Sequence, residues 1–255
     1  MTLSEGQLLQ GRYQIEQSVA RGGYGAVYRA FDTTLNRICA VKENLALGPQ
    51  AESRFAQEAQ LLARLHHPNM PRVIDHFLVP ERGQYLVMDY VEGRNLQEIL
   101  RHRLRPLGQD EALAIIYQVC AVLSYLHNQS PPIVHRDVKP QNIIVTPGGP
   151  VMLLDFGTSK VVYEEAGPGA ETLMGLRGIT PGFAAPEQYG MAPTDARCDV
   201  YSTGATLYAL LTGHAPVDAL LRLTDKLALP PIRQFNGAVS PAIEQVVLKA
   251  PLNWR

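Results

Sequence analysis

The sequence predicts an α+β fold in two lobes, a small antiparallel β-sheet lobe with one helix followed by a larger, mainly α-helical lobe. Three observations predict it. Up to residue 91 the apolar residues fall mainly in short β-like runs around glycine and proline turns, interrupted by a single stretch of helical period. At Val91-Glu92-Gly93 the pattern changes, and beyond it the apolar stretches are mostly helical. With 255 residues, 46% of them hydrophobic, the chain is long enough to bury one large core or two modest ones. We read residues 1–255 as one domain, with lobes at 1–91 and 92–255.

In the first lobe, Arg12 to Val19 reads as a strand that runs into the glycine turn Arg21-Gly22-Gly23-Tyr24-Gly25. Ala26 to Phe31 follows as a second strand, so the glycines join two strands rather than a strand and a helix, which argues against a dinucleotide-binding fingerprint. Arg37 to Lys42 is a third strand, ending in a cation. Glu52 to His66 has helical period, with Phe55, Ala59, Leu62 and Leu65 on one stripe and Glu58 within it. A carboxylate in an apolar face needs a cationic partner, and Lys42 on the preceding strand is the natural one. Val73 to Val79 and Tyr85 to Met88 add two strands around a turn at Pro80–Gly83.

In the second lobe, Asn95 is placed to cap a helix from Leu96 to about His102. Asp110 to Asn128 carries apolar residues around most of its circumference and is expected to be a buried core helix. Ile143-Ile144-Val145 and Val151 to Leu154 read as a hairpin turning at Pro147-Gly148-Gly149-Pro150. Thr158 to Phe183 has little periodicity and reads as a long functional loop. A helix from about Asp199 through Leu211 ends at Gly213, Leu220 to Gly237 is mostly loop, and Ser240-Pro241 opens a last helix to Lys249.

The chemistry concentrates at His135-Arg136-Asp137-Val138-Lys139-Pro140-Gln141-Asn142 and Asp155-Phe156-Gly157. The hairpin reading puts Asn142 and Asp155 at its two open ends, so an amide and a carboxylate oxygen face one small volume. That donor set suits Mg²⁺, a hard cation that keeps contact with substrate phosphates. Asp137 is then placed to accept a proton from an attacking hydroxyl. These residues read as a phosphoryl-transfer site.

Composition excludes several other classes. The formal net charge is −1, which lacks the basic footprint of a nucleic-acid or anionic-membrane binder. Cys39, Cys120 and Cys198 are odd in number, widely spaced and set among apolar residues, so they read as buried reduced thiols in a cytoplasmic protein. Residues 1–12 lack the apolar core of a signal peptide, and no apolar run approaches the length of a membrane helix.

Taken together, the motifs resemble the eukaryotic-type serine/threonine protein kinases, in particular their bacterial branch, over nearly the whole chain. Ala20 to Val27 is similar to the glycine-rich loop, Cys39-Ala40-Val41-Lys42 to the β3 lysine motif, and Glu58 to the αC glutamate. His135 to Asn142 resembles the catalytic loop, Asp155-Phe156-Gly157 the metal-binding motif, and Ala185-Pro186-Glu187 the end of the activation segment. The resemblance implies the bilobal protein-kinase-like fold, ATP and Mg²⁺ as cofactors, and protein substrates with Ser or Thr acceptors. It implies that Lys42 holds the α/β-phosphates, oriented by Glu58, that Asp137 receives the substrate hydroxyl, and that Asn142 and Asp155 hold the metal ions. Lys139 is the serine/threonine form of the loop and is implied to touch the γ-phosphate, while Thr180 is implied to contact Asp137 and Lys139. For the nucleotide the resemblance implies Gly22, Gly23 and Gly25 at the phosphates, Val27, Ala40 and Ile144 as apolar walls, and Asp89 and Val91 as backbone contacts beyond a gatekeeper at Met88. His135, with Leu62, Val73 and Phe156, matches a structural column based on Asp199. Arg136 resembles the arginine that pairs with a phosphorylated activation loop, with Thr172 as the candidate acceptor and self-association as the route to autophosphorylation.

The chain departs from the family pattern at Ala20, where the first loop glycine is expected, and at Ile179, where a glycine commonly precedes Thr180. Arg255 also falls short of the usual spacing for the arginine that pairs with Glu187, so the last helix is expected to be truncated or altered. Two alternatives stay open beside an active kinase: a nucleotide-binding scaffold without catalysis, and a small-molecule phosphotransferase of the same fold.

Overall fold

The computed structural model describes residues 3–22, 25–44, 49–80, 82–155, 160–161, 179–190, 194–225 and 227–249, with the backbone alone at 22, 49–52, 54, 58, 160 and 161. Contacts divide the chain into two units, Met1–Glu92 and Gly93–Arg255.

The first unit is a six-stranded antiparallel sheet with one helix. Its strands are β1 (Leu8–Leu9), β2 (Tyr13–Gly22), β3 (Gly25–Asp32), β4 (Arg37–Asn44), β5 (Val73–Val79) and β6 (Gly83–Asp89), in the order β1-β2-β3-β4-β6-β5. The helix α1 (Pro49–Leu62) connects β4 to β5. Because side chains alternate along a strand, the pairing register sorts the sheet into two faces. Tyr28 opposite Val41, Ala30 opposite Cys39, and Val41 opposite Val87 put one set into the buried core with Tyr13, Ile15 and Tyr85. Val27 opposite Lys42, Lys42 opposite Leu86, and Ala40 opposite Met88 put the other set on the reverse face. The helix lies over that reverse face, since the Phe55 ring sits 5.5 Å from His76, which pairs with Leu86. Phe55, Ala59 and Leu62 are buried, as the helical stripe predicts, whereas the helix ends at Leu62 instead of reaching His66, so Leu65 is buried from the turn beyond it. Burying Phe55 or either leucine stabilises the unit by roughly 1.5–3 kcal/mol.

Gly25 is required by close approach: a Cβ there would stand 1.9 Å from the Glu43 carbonyl oxygen on the paired strand. Glu43 itself is buried on the core side, where its carboxylate accepts hydrogen bonds from the Tyr28 and Tyr85 hydroxyls, both at 3.0 Å. At the sheet's far end, Asp32 accepts two hydrogen bonds from the Arg12 guanidinium, at 2.9 and 2.7 Å, and two more from the Thr34 and Leu35 backbone amides. The Arg12 contact, aided by those amides, holds the Asp32 carboxyl down at about 2. A depressed carboxylate stabilises the fold above its unfolded value near ~3.9 and loses that contribution as pH falls toward the folded value. Asp32→Asn is therefore expected to lower stability by about 1.5–3 kcal/mol at neutral pH, the usual worth of hydrogen bonds to a charged group. The deficit should shrink as pH falls from about 4 to about 2. Thermal melting against pH checks this, and a deficit that does not change with pH would overturn it.

The second unit begins with β7 (Arg94–Asn95) and α2 (Leu96–Arg103), whose first turn is capped by the Asn95 side chain accepting from Glu98 N at 2.9 Å. The helix closes on Leu104 at φ 52, a left-handed position at which glycine is the cheaper residue. Then follow α3 (Gln109–His127), β8 (Ile133–Val134), a 3-10 turn (Pro140–Asn142), β9 (Ile143–Val145), β10 (Val151–Leu153) and β11 (Lys160–Val161). After the undescribed segment 162–178 come α4 (Pro186–Tyr189), α5 (Ala196–Thr212), α6 (Ala219–Thr224), a second 3-10 turn (Ile232–Gln234) and α7 (Pro241–Lys249). The helix α5 is capped at its start by Asp195 and ends on Gly213 at φ 78. Nearly all of it is buried, with Cys198, Tyr201, Ala205 and Ala209 packing against Val134, Phe183 and Ala185.

Several expectations are corrected. The helix α3 buries one side only: Ile115, Val119, Val122 and Leu126 face inward, while Tyr117, Cys120 and Ser124 are exposed. The apolar residues that suggest burial all round gather on that one side, where Ile115, Ile116, Val119, Val122, Leu123 and Leu126 are buried and Leu113 is half-buried. Cys120 is thus a surface thiol, whereas Cys39 and Cys198 are buried, with the Cys39 thiol pushed up to about 11 chiefly by burial. The two-residue strands β1, β7, β8 and β11 and the short helices α4 and α6 do not appear in the sequence reading, because elements that short show no period. No helix among the described residues is long and apolar enough to cross a membrane.

Candidate active site

In the second unit the local chain is bent so that His135 to Asn142 doubles back on itself. Arg136 stands at φ 71 and Asp155 at φ 63, both in the left-handed region that side chains adopt at a cost of about 1–3 kcal/mol. The compensation is visible at Asp199, fully buried on α5. Its carboxylate accepts from His135 N at 2.8 Å, from Arg136 N at 2.7 Å, and contacts His127 Nε2 at 2.8 Å. Gln188 adds a second tie: its side-chain amide donates to Arg136 O at 2.9 Å and its oxygen accepts from Ala185 N at 2.9 Å. Thr206 on α5 reaches Val138 O at 3.2 Å. His135 is fully buried; its Nδ1 accepts from Asp137 N at 3.3 Å and its Nε2 faces Leu154 O at 3.2 Å, which fits a neutral ring protonated on Nε2. Burial pushes its pKa down, keeping it neutral. It is a brace for the loop rather than an acid or base.

On this frame four polar side chains converge. Asp137, nearly buried, receives Lys139 Nζ at 2.7 Å and Asn142 Nδ2 at 2.8 Å on Oδ2, and Thr180 Oγ1 at 3.0 Å on Oδ1. Lys139 Nζ also donates to Thr180 Oγ1 at 2.8 Å, closing a triangle, and Asn142 Nδ2 donates to Asp137 O at 2.8 Å. Asn142 is set by the 3-10 turn at the open end of the β9–β10 hairpin, where Ile143 pairs with Leu153 and Leu154 N donates to Asn142 O at 2.8 Å. Asp155 follows directly with an exposed carboxylate, while Phe156 and Gly157 lie outside the described residues. Thr180 is held by Phe183 N and Ala184 N, both 3.0 Å from its carbonyl. Gly182, two residues on, sits at φ 84 with a hypothetical Cβ only 2.6 Å from Pro216 O, so no side chain fits there. Its amide donates to Asp218, which also accepts from the Tyr189 hydroxyl.

Residues 13–230 match the family model for the protein kinase domain. The chain belongs to this family. The kinase domain is 33% identical over 259 residues to the serine/threonine-protein kinase pkn3 of Myxococcus xanthus, covering 96% of this chain and 47% of that protein. It is 34% identical over 256 residues to the serine/threonine-protein kinase PknB of Mycolicibacterium smegmatis, covering 96% of this chain and 40% of that one. The chain therefore spans less than half the length of these curated relatives. Among solved structures, the PknI kinase domain of Mycobacterium tuberculosis is similar at a TM-score of 0.75 and 26% identity, over 99% of this chain and 92% of that one. The kinase domain fold is thus an antiparallel-sheet unit plus a mainly helical unit.

The kinase domain's other sequence-predicted residues lie as follows. Lys42, Ala40 and Val27 share the face of the first unit's sheet opposite its core, and Asp89 ends β6 with Val91 two residues later. Asp89 N donates to Arg72 O at 2.9 Å, so its amide is already committed. Gly25 opens β3 and Gly22 ends β2, whereas Gly23 lies outside the described residues. Glu58 is on α1, and its side chain and its expected pairing with Lys42 lie outside the described residues. Ile144 lies on β9. Thr172 and Arg255 lie outside the described residues. Sequence reasoning did not pick out Gln188 or Asp218 in the second unit; nothing in their local pattern marks them, since both act through partners distant in sequence.

Proposed function

We propose that this kinase domain transfers the γ-phosphoryl group of ATP to Ser and Thr hydroxyls of proteins. The observation that carries this reading is the triangle of Asp137, Lys139 and Thr180, closed by hydrogen bonds of 2.7, 2.8 and 3.0 Å. It supports a site in which an acceptor hydroxyl approaches the Asp137 carboxylate beside a fixed cation. In the transfer, the hydroxyl oxygen forms a bond to the γ-phosphorus as the bond to the β-phosphate oxygen breaks, ADP leaves, and the hydroxyl proton passes to Asp137. Lys139 faces the charge on the transferred group. Because the transition state is loose, positioning and charge neutralisation supply most of the rate enhancement.

The residues present fit Mg²⁺. Asn142 turns Nδ2 toward Asp137 in two hydrogen bonds, which leaves Oδ1 as its free donor atom, and Asp155 offers an exposed carboxylate, an all-oxygen set. When bound there, the metal supplies charge neutralisation at the phosphates. For ATP we assign Lys42 to the phosphates with Glu58 as its partner, Gly22, Gly23 and Gly25 to the phosphate loop, Val27, Ala40 and Ile144 to the base, and Asp89 and Val91 to backbone contacts with adenine. The committed amide of Asp89 leaves its carbonyl for that contact. We also propose regulation by phosphorylation of Thr172 through self-association, in a cytoplasmic setting. The buried Nε of Arg136 has no hydrogen-bond partner among the described residues, which supports a phosphate as its partner.

Incubation with Mg²⁺ and labelled ATP is expected to label the protein or a generic basic substrate on Ser or Thr, with mapping of the labelled residues. Tight ATP binding without transfer under any divalent metal would overturn the catalytic reading.

A further inference from the structure

The second unit carries a trough that shares no residue with the Asp137 cluster. Two clefts of about 260 and about 320 Å³ are lined by α2, α3, the segment joining them, the β9–β10 hairpin and Asn236. They run into one another, because Arg103, Leu107 and Glu111 line both. The first is lined by aliphatic side chains, with the half-buried Ile99 and Val145 accessible on its floor and Leu96, Leu107 and Ile115 buried in its wall. The second opens beside Arg103 and Arg105.

Charge is unevenly distributed here. In a chain of net charge −1, residues 101–105 read Arg-His-Arg-Leu-Arg, and all five are exposed. Arg103 is paired with Glu111 at 2.7 Å, whereas Arg101 and Arg105 form no ion pair among the described residues. Leu104 stands among these cations 91% exposed, in the left-handed conformation that disfavours it. A strained, fully exposed leucine beside unpaired arginines is an outlier that points to an interaction surface.

We propose that this trough docks an extended peptide segment of a protein partner in which aliphatic side chains are interleaved with or followed by acidic ones. The aliphatic side chains lie on the floor, and the carboxylates meet Arg105 and its neighbours at the mouth. A bilayer is too flat to enter a concave floor, and the floor carries no aromatic ring on which a nucleotide base stacks. For a kinase, such a surface holds a substrate at a point other than its acceptor residue. That consequence rests on the function proposed above; the docking itself does not.

The test is fluorescence anisotropy with a labelled synthetic peptide of alternating Leu and Asp ending in three Glu, against a counterpart in which every acidic residue is Lys. The acidic peptide is expected to bind at least ~10-fold more tightly, and the preference to fade at high salt. Arg105→Glu, a change at an exposed position, should abolish the preference. Ile99→Gln should weaken binding of the acidic peptide, with melting curves confirming that both variants are folded. Arg105→Glu should leave phosphorylation of a short peptide lacking the docking segment unchanged. Equal binding of the two peptides, or an Arg105→Glu protein that keeps the preference, overturns the proposal. Stronger recruitment to phosphatidylserine vesicles than to the acidic peptide overturns it in favour of a membrane. These binding arms give an answer even if no phosphoryl transfer is ever detected.

Discussion

Asp137→Ala is expected to abolish phosphoryl transfer while leaving the protein folded. The carboxylate is the one group on which Lys139, Asn142 and Thr180 all converge, at 2.7, 2.8 and 3.0 Å. Its removal takes away the acceptor for the hydroxyl proton and also releases Lys139 and Asn142 from their positions. A positioned general base contributes about 10²–10⁴-fold to a rate, and the accompanying loss of alignment adds to that figure. Asp137→Asn separates the two effects. It keeps the shape and can still contact Thr180, but it no longer anchors the Lys139 cation, so it should lose nearly as much in kcat with little change in ATP affinity. Steady-state kinetics with nucleotide-binding measurements check this, and an Asp137→Ala protein with near-normal kcat would sink the assignment.

Asp199→Ala is expected to have the largest effect on stability, about 3–5 kcal/mol, the cost of breaking a buried charged network by removing one partner. The carboxylate is fully buried and accepts the backbone amides of His135 and Arg136, with His127 as a third contact. Without it, two buried N–H groups are stranded at roughly 1–3 kcal/mol each, next to a residue already held at φ 71. The loop bearing Asp137 then relaxes, so activity is expected to fall even in the fraction that remains folded. Asp199→Asn retains one acceptor oxygen and should fall between the parent and the alanine variant. Urea unfolding gives the ordering, and an alanine variant as stable as the parent would show that the amides find other acceptors.

The two effects separate the roles of neighbours in one short stretch. Asp137 faces the chemistry, while His135 and Arg136 transmit the frame: their amides are tied to α5 and the Arg136 carbonyl to Gln188. The strain at Arg136 persists because three ties over-determine it.

Much of the architecture was legible from local pattern. Phe55, Ala59 and Leu62 announce the inner face of α1 by their spacing, and all three are buried. Asn95 and Gly213 mark helix ends by chemistry that works within a few residues, a side-chain oxygen for an orphan amide and a residue free to adopt positive φ. The stretch from His135 to Asn142 with Asp155 showed its ligand types and spacing directly. Where pattern misled, it did so at α3, whose dense aliphatic residues suggest burial all round although Tyr117 and Cys120 are exposed. Exposure depends on what packs against a helix, and among the described residues α5, β10 and β8 pack against this one and leave Tyr117, Cys120 and Ser124 exposed.

The sequence by itself determined the order and type of the long elements, the strand on which Lys42 stands, and the residue types gathered around Asp137. These follow from side-chain period, capping and turn chemistry, which act over a few residues. The family resemblance implies the contact of Thr180 with Asp137 and Lys139 and a base at Asp199, but only the tertiary structure decided that Thr180 reaches the aspartate from 43 residues away to close a triangle, that Asp199 accepts the His135 and Arg136 amides, and that Arg103 and Arg105 at the end of α2 border an aliphatic trough. Those arrangements depend on contacts between distant segments, and no local spacing encodes which distant partner a buried polar group will find.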